Sequence, residues 1–455
     1  MQSNLAIATL TFWLTSCASQ GQTSASVSTL QSNVSVDMTV QPSDLIAVYS
    51  ALEPVSALEF RRVAGPARSE DWNVPPEFLL RHNAEDGTDR LFRLDGAPFG
   101  RVSVSMPARY RVLPKEYAPF SPFSDGGLLL HTGRLQVCEE TCPEDDSTWS
   151  QRMSLSGWQG AHVIEGGSVH ANGTAQWIDT RNGKNIYVGS ATPIETDEVV
   201  GVVDPALPDL IKSSLDDLLP LLIKSYAEKF GHLDAKPELF VSMEPPPDLP
   251  PGSVRKSAQG GTLPGQIFMH LSGNFWLFPT EEWSAEDRRF IPVFFAHEVA
   301  HLYQRLEDLD IDLNEAWIHE GGADALALAM LHELDVLSLQ DIDAEVEARL
   351  QSCASGLETL SMLEFSDLER FDLHYACGMA VQLAAMAEGA DLFDIWRDYQ
   401  RSIRLGSPYG SASFEKTMTN NGAQKAADLA KQMRFQAARP SMQDLLQATA
   451  GWRTK

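Results

Sequence analysis

The rhythm of apolar and polar residues changes once along the chain. Val102-Ser103-Val104-Ser105-Met106 places an apolar side chain at every second position, the period of a strand with one buried face. Residues 177–180 and 185–188 flank Arg181-Asn182-Gly183-Lys184. Asn-Gly favours the tight turn that joins two strands, so a hairpin is expected there. Gly and Pro recur at short intervals through residues 40–203, which predicts a β-rich domain. From about Pro205 the period lengthens. Leu210, Ile211, Leu215, Leu218, Leu219, Leu222 and Ile223 recur at three- and four-residue steps, the spacing of one helix face. Apolar runs at 238–243 and 266–271, separated by the Pro-rich residues 245–251, predict two short strands. Beyond Glu281 the pattern is helical almost throughout. The expected fold class is α+β: an N-terminal β-rich domain, then a domain over 204–455 with a small sheet and a mainly helical C-terminal part.

The first seventeen residues carry no charged side chain, and residues 5–14 are mostly apolar. About ten apolar residues are too few to span a bilayer but suit the apolar core of a secretory signal. Leu14-Thr15-Ser16-Cys17 follows and resembles the bacterial lipobox. That resemblance implies a signal over 1–17, lipidation at Cys17, and a cell-envelope location at the outer membrane or facing the periplasm. Membrane contact would be through the lipid anchor only. No Lys or Arg precedes the apolar core, a departure from such signals, and an ordinary signal peptide with an incidental Cys stays open. Residues 18–39 are rich in Ser, Thr and Gln and are expected to be a flexible tether.

Composition adds two constraints. The 62 Asp and Glu outnumber the 35 Lys and Arg, a formal charge of −27. Such a surface repels phosphate backbones, so nucleic acid is not an expected partner. Five Cys are too few for a disulfide scaffold. With Cys17 lipidated, Cys138, Cys142, Cys353 and Cys377 remain, an even number that suggests two disulfides in an oxidising compartment. Sequence order favours Cys138–Cys142 and Cys353–Cys377; four free or buried thiols are the alternative.

Candidate chemistry sits in one short stretch. His297-Glu298-Val299-Ala300-His301 lies in an apolar helical run. Residues four apart share a helix face, so His297 and His301 can grip one ion together. Glu298 projects about 100° away from His297, beside the ion rather than on it, where it can take a proton from water. Downstream, Trp317-Ile318-His319-Glu320-Gly321-Gly322-Ala323 opens another helical run, with eighteen residues between His301 and Glu320. Glu320 supplies the third protein ligand that a catalytic zinc needs. Two core-facing His on an amphipathic helix are the plainer reading of the first motif alone.

The combined H-E-x-x-H-x18-E, with W-x-x-E-G around its last Glu, resembles the gluzincin metallopeptidases, and among them the aminopeptidase N group. The likeness covers roughly residues 205–392 and is most specific over 297–324. It implies a thermolysin-like catalytic domain, one zinc ion per chain, and a peptide or protein substrate. It implies His297, His301 and Glu320 as ligands, and hydrolysis by a metal-activated water with Glu298 as general base. Tyr375-Ala376-Cys377-Gly378 resembles that group's Y-x-K-G segment, with Cys377 in place of Lys. Tyr375, 78 residues past His297, is thereby implied as hydrogen-bond donor to the transition-state oxyanion. Asp324, four residues past Glu320, is either the carboxylate that orients a ligand His or a plain surface Asp.

The resemblance breaks at one point. The group carries G-x-M-E-N on an edge strand, whose Glu holds the substrate's α-amine. The matching window, residues 260–273, contains no Glu or Asp. Its strand is expected to bind substrate through Gln266, Phe268 and His270 by backbone pairing. Aminopeptidase and endopeptidase both stay open. So do hydrolysis of something other than a peptide and a non-catalytic lipoprotein that binds peptides or an envelope protein. Oligomeric state is not specified.

Overall fold

The computed structural model describes residues 30–453 except 43, 63, 112, 114–117, 144–148, 181–182, 245–252, 306–311 and 436–438. The expected signal, Cys17 and the Pro-rich loop lie outside the described residues. In the N-terminal half, a six-stranded sheet contains Leu30–Gln31, Trp149–Ser156, Val34–Gln41, Asp44–Val55 and Phe99–Pro107 in that order, with Thr174–Thr180 also paired to Trp149–Ser156. A four-stranded and a five-stranded sheet complete this half. Val102, Val104 and Met106 are buried while Ser103 is exposed, as their alternation predicts.

Two expectations are corrected here. Residues 30–39 belong to the sheet, not to a tether. Val34, Val36, Met38 and Val40 face the core, and Asp37 and Thr39 between them face out. The Ser- and Thr-rich composition hid this strand period. The expected hairpin around Gly183 does not form either. Thr174–Thr180 pairs with Trp149–Ser156, whereas Asn185–Gly189 pairs with His162–Glu165 and Leu128–His131 in another sheet. Thr174–Thr180 alternates between exposed and buried, but Asn185–Gly189 is buried throughout. Strands of such different patterning do not share one half-solvated sheet. Gly183, at φ 76°, is needed for a different reason: a Cβ there would overlap the backbone of Gly133.

The second half is built on a five-stranded sheet in the order Pro193–Glu195, Val200–Val203, Glu238–Met243, Gln266–Ser272, Ser257–Leu263. It begins ten residues ahead of the expected boundary at 203. The three middle strands run parallel, and Glu238–Met243 is buried along its whole length, as a strand covered on both faces must be. Ser257–Leu263 pairs antiparallel and forms the edge.

One face of this sheet packs on the helices. Asp209–Phe230 shows the predicted stripe, with Ile211, Leu215, Leu218, Leu219, Leu222 and Ile223 buried in the same core as Ile267, Met269 and Leu271. The helix Ala285–Gln304 starts at a capping box in which Ser284 and Asp287 satisfy each other's backbone N–H. Its Ile291, Phe295, Val299 and Leu302 face that core. The helices Ala316–Glu333, Leu339–Leu357 and Phe371–Ala387 pack around it, and Leu392–Arg404, Ser411–Asn420, Gln424–Phe435 and Met442–Thr449 add to the same core. Both disulfides are formed, Cys138–Cys142 and Cys353–Cys377. No helix among the described residues is long and apolar enough to cross a membrane.

Two helices approach with almost no side chain between them. A Cβ on Gly378 would overlap the Trp317 carbonyl, and one on Gly321 would overlap the Gly378 backbone. Gly378→Ala should therefore cost about 1–3 kcal/mol by overpacking. At roughly 2–4 °C per kcal/mol for a domain of this size, a clear fall in melting temperature is expected. A melting curve that superimposes on wild type would refute this close packing.

Candidate metal centre and active site

The helix Ala285–Gln304 turns its apolar side to the core and its His297–His301 edge toward the start of Ala316–Glu333. There Glu320 meets them. His297 Nε2 and His301 Nε2 lie 3.0 Å apart, His301 Nε2 and Glu320 Oε2 3.1 Å, and His297 Nε2 and Glu320 Oε2 3.4 Å. This is the one group of three or more possible ligands that converge among the described residues. In a tetrahedral zinc site with bonds of about 2.0–2.1 Å, ligand atoms stand about 3.3 Å apart. Donor types and separations both fit zinc.

The opposite ring nitrogens are committed elsewhere. His297 Nδ1 is 2.8 Å from Asp324 Oδ1, and His301 Nδ1 is 2.8 Å from Gln304 Oε1. Each acceptor draws the ring proton to Nδ1, which leaves the Nε2 lone pair for a metal. Asp324 thus takes the orienting position considered for it. Gln304 was not singled out from the sequence, although it lies three residues past His301 on the same helix. It is itself fixed, since its Nε2 donates to the His319 carbonyl at 2.8 Å. Arg349, also unforeseen, sits 3.4 Å from Asp324 Oδ2. His319 stands between Glu320 Oε1 at 3.5 Å and the Tyr409 hydroxyl at 3.0 Å.

The electrostatics favour a cation. Burial lowers the pKa of His297, but hydrogen bonds to Asp324 and Glu320 outweigh it and lift the value to about 10. Burial works against the Glu320 carboxylate too, yet the charge of His301 and hydrogen bonds from His297 and His301 hold its pKa well below the usual range. This cluster gathers positive charge at the point where the three ligand atoms meet. Glu298 is buried, which raises its pKa against the opposing pull of His297 and His301. Its Oε2 has no hydrogen-bond partner among the described residues, so a buried acceptor awaits a donor. Tyr375 stacks on His297, ring centroids 5.6 Å apart at 17°. Burial first, then the charge of Glu320, raises its pKa, so the phenol keeps its proton.

His297, Glu298, Asp324 and Tyr375 open on a cleft of about 670 Å³. Phe290, Val293 and Phe294 line it from the motif helix, Ala348 and Arg349 from Leu339–Leu357, and Gly260 from the edge strand. The predicted substrate-binding residues lie elsewhere. Gln266–Ser272 is an inner strand, and Gln266, Phe268 and His270 point away from the helices. Gln266 exchanges hydrogen bonds with the Asn185 backbone at 2.7 and 2.8 Å. Phe268 packs on Phe240, Phe123 and Tyr187. His270 is stacked under Tyr110, 3.7 Å between centroids, with Nδ1 2.8 Å from Ser242. All three join the sheet to the β-rich half. The edge is Ser257–Leu263, which likewise contains no carboxylate.

No protein-family model and no curated protein matches the sequence. Solved structures do match in fold. The chain is similar to an aminopeptidase N family protein from Idiomarina loihiensis, at 11% identity and a TM-score of 0.65, over 91% of this chain and 78% of that one. It is also similar to an M1 zinc metallopeptidase from Deinococcus radiodurans, at 14% and 0.47, over 90% of this chain and 94% of that one. A third similar structure is yeast LTA4 hydrolase, at 11% and 0.49, over 90% and 68%. The first likeness gives the fold: this chain is folded like that aminopeptidase N family protein, with the β-rich half ahead of the helical one. At such identities the likeness is one of fold.

If Asp324 and Gln304 set the two rings, Asp324→Ala and Gln304→Ala should each weaken zinc binding by about 10–100-fold. Competition against a chromogenic chelator measures this. Zinc affinity equal to wild type in both variants would remove their orienting role.

Proposed function

We propose that this protein is a zinc-dependent peptidase. The observation that carries the reading is the convergence of His297, His301 and Glu320, with His297 in the wall of a cleft that Glu298 and Tyr375 also line. Zinc bound by the three ligands would supply Lewis acidity, which makes water a nucleophile near neutral pH and polarises a carbonyl. The protein's own groups do the rest. Glu298 accepts the proton of the attacking water and returns it to the leaving amine. A buried carboxyl with a raised pKa suits that exchange better than a solvated one. Tyr375 donates its hydroxyl proton in a hydrogen bond to the oxygen on which charge develops. Asp324 and Gln304 keep both imidazoles turned the right way.

The edge strand Ser257–Leu263 has a strand partner on one side only among the described residues, and an extended peptide would add along the other. The strand itself has no carboxylate for a substrate ammonium, and Glu345 and Asp372 in the same cleft are paired with arginines, while Glu286 lines the cleft as an exposed carboxylate. We extend the proposal to peptides with blocked N-termini, which an edge strand can bind through its backbone alone. Export and lipid anchoring at Cys17 are also proposed; the two disulfides support an oxidising compartment.

Glu298→Gln should retain zinc and lose turnover by about 10²–10⁴-fold. Undiminished hydrolysis in that variant would sink the assignment. An N-acetylated peptide and its free counterpart should both be cleaved. Cleavage of the free one alone restores an aminopeptidase, and a zinc-loaded wild type inert to every peptide points to a binding module. Cys17→Ser should abolish metabolic labelling by a fatty acid; labelling that persists rules out that anchor.

A further inference from the structure

Tyr375 can serve an oxyanion only if its helix holds still against the helices that carry the metal ligands. One side of Phe371–Ala387 is fixed by contact of Gly378 with Gly321 and the Trp317 carbonyl, on the helix that bears Glu320. The other side is fixed covalently. Cys377, two residues past Tyr375, is joined to Cys353 on Leu339–Leu357, with 4.9 Å between Cα atoms. Both sulfurs are fully buried in the main core. Cys353 lies four residues past Arg349, on the same helix face. Arg349 reaches Asp324, Asp324 holds His297, and the His297 ring stacks on Tyr375. The disulfide therefore closes a ring of contacts around the catalytic groups.

We propose that the Cys353–Cys377 disulfide is a positioning element for Tyr375, so that full turnover belongs to the oxidised chain. This rests on the peptidase reading above. Breaking the bond replaces a sulfur–sulfur distance of about 2 Å by a longer non-bonded contact, two residues from the phenol. A misplacement of about 1 Å at a catalytic group can cost on the order of 10²-fold in rate. A chain still in a reducing compartment would bind zinc and substrate yet turn over slowly.

The test is a double-mutant cycle in the full-length zinc-loaded protein. Cys353→Ala/Cys377→Ala should keep one zinc per chain, leave KM within about twofold, and lower kcat about tenfold or more. The same pair introduced into Tyr375→Phe should change kcat less than about twofold, because the group it positions is gone. Equal losses in both backgrounds would show a general structural staple and overturn the proposal, as would a loss that zinc content explains. If the cysteine pair fails to fold, the redox route replaces it. A trialkylphosphine and one water reduce the disulfide to two thiols, and the phosphine leaves as its oxide. Run in a Cys138→Ala/Cys142→Ala background, reduction should lower kcat reversibly, and Tyr375→Phe should be insensitive. Unchanged kcat with both thiols shown free by mass labelling overturns the proposal. A wild type with no peptide turnover ends the functional reading and this inference together. Hydrolysis that depends on Glu298 and Tyr375 but is additive with the cysteine pair ends only the inference.

Discussion

Three electron pairs meet at one point. His297 Nε2, His301 Nε2 and Glu320 Oε2 stand 3.0–3.4 Å apart, with the acceptors Asp324 and Gln304 drawing ring protons to the far nitrogens. Once both Nε2 atoms are deprotonated, lone pairs at that distance repel unless a cation lies among them. Much of the helical half can be understood as what keeps these groups together. The core of Ile291, Phe295, Val299 and Leu302 pins one helix. The Gly321–Gly378 approach clamps the second against the third. Arg349 opposes the charge of Asp324. Without the packing, the polar cluster would relax into water; without the cluster, the packing would enclose nothing reactive.

What could be read from the sequence follows the range of each physical rule. A helix repeats every 3.6 residues, so the shared face of His297 and His301 and the apolar stripe of Asp209–Phe230 follow from spacing alone. Gln304 was within reach of the same rule, three residues past His301, but glutamine has no motif to announce it. Glu320 is different. No local rule joins it to His301 across eighteen residues; the need for a third ligand and the helical run after Trp317 suggested it, and the family pattern then matched. Arg349 and His319 depend on how separate helices dock, which periodicity does not encode.

Three of the β expectations failed for a related reason, while the strands at 102–106, 238–243 and 266–271 formed as predicted. Alternation gives the faces of a strand but neither its neighbours nor its place in the sheet. Gln266–Ser272 was read as the edge, yet it is covered by Glu238–Met243 on one side and Ser257–Leu263 on the other. The true edge carries Gly260 and Gly261 and has little of a strand's composition. Residues 30–39 show the reverse case, a strand hidden by Ser and Thr. The turn at Gly183 shows that a favourable local turn yields when its two flanks need different degrees of burial.

The sheet's two faces divide the labour between the halves of the chain. Ile267, Met269 and Leu271 face the helices, and Gln266, Phe268 and His270 face the β-rich half. Asp204, fully buried, accepts from the backbone of Ser124 at 2.8 Å and of Met243 at 3.0 Å, one from each half. These polar contacts are directional, so they set the angle of the sheet more tightly than apolar packing could. The edge strand at the cleft inherits that angle through its pairing with Gln266–Ser272. The β-rich half thus acts at a distance: among the described residues its polar contacts are with the sheet, and through the sheet it holds the edge strand that borders the cleft.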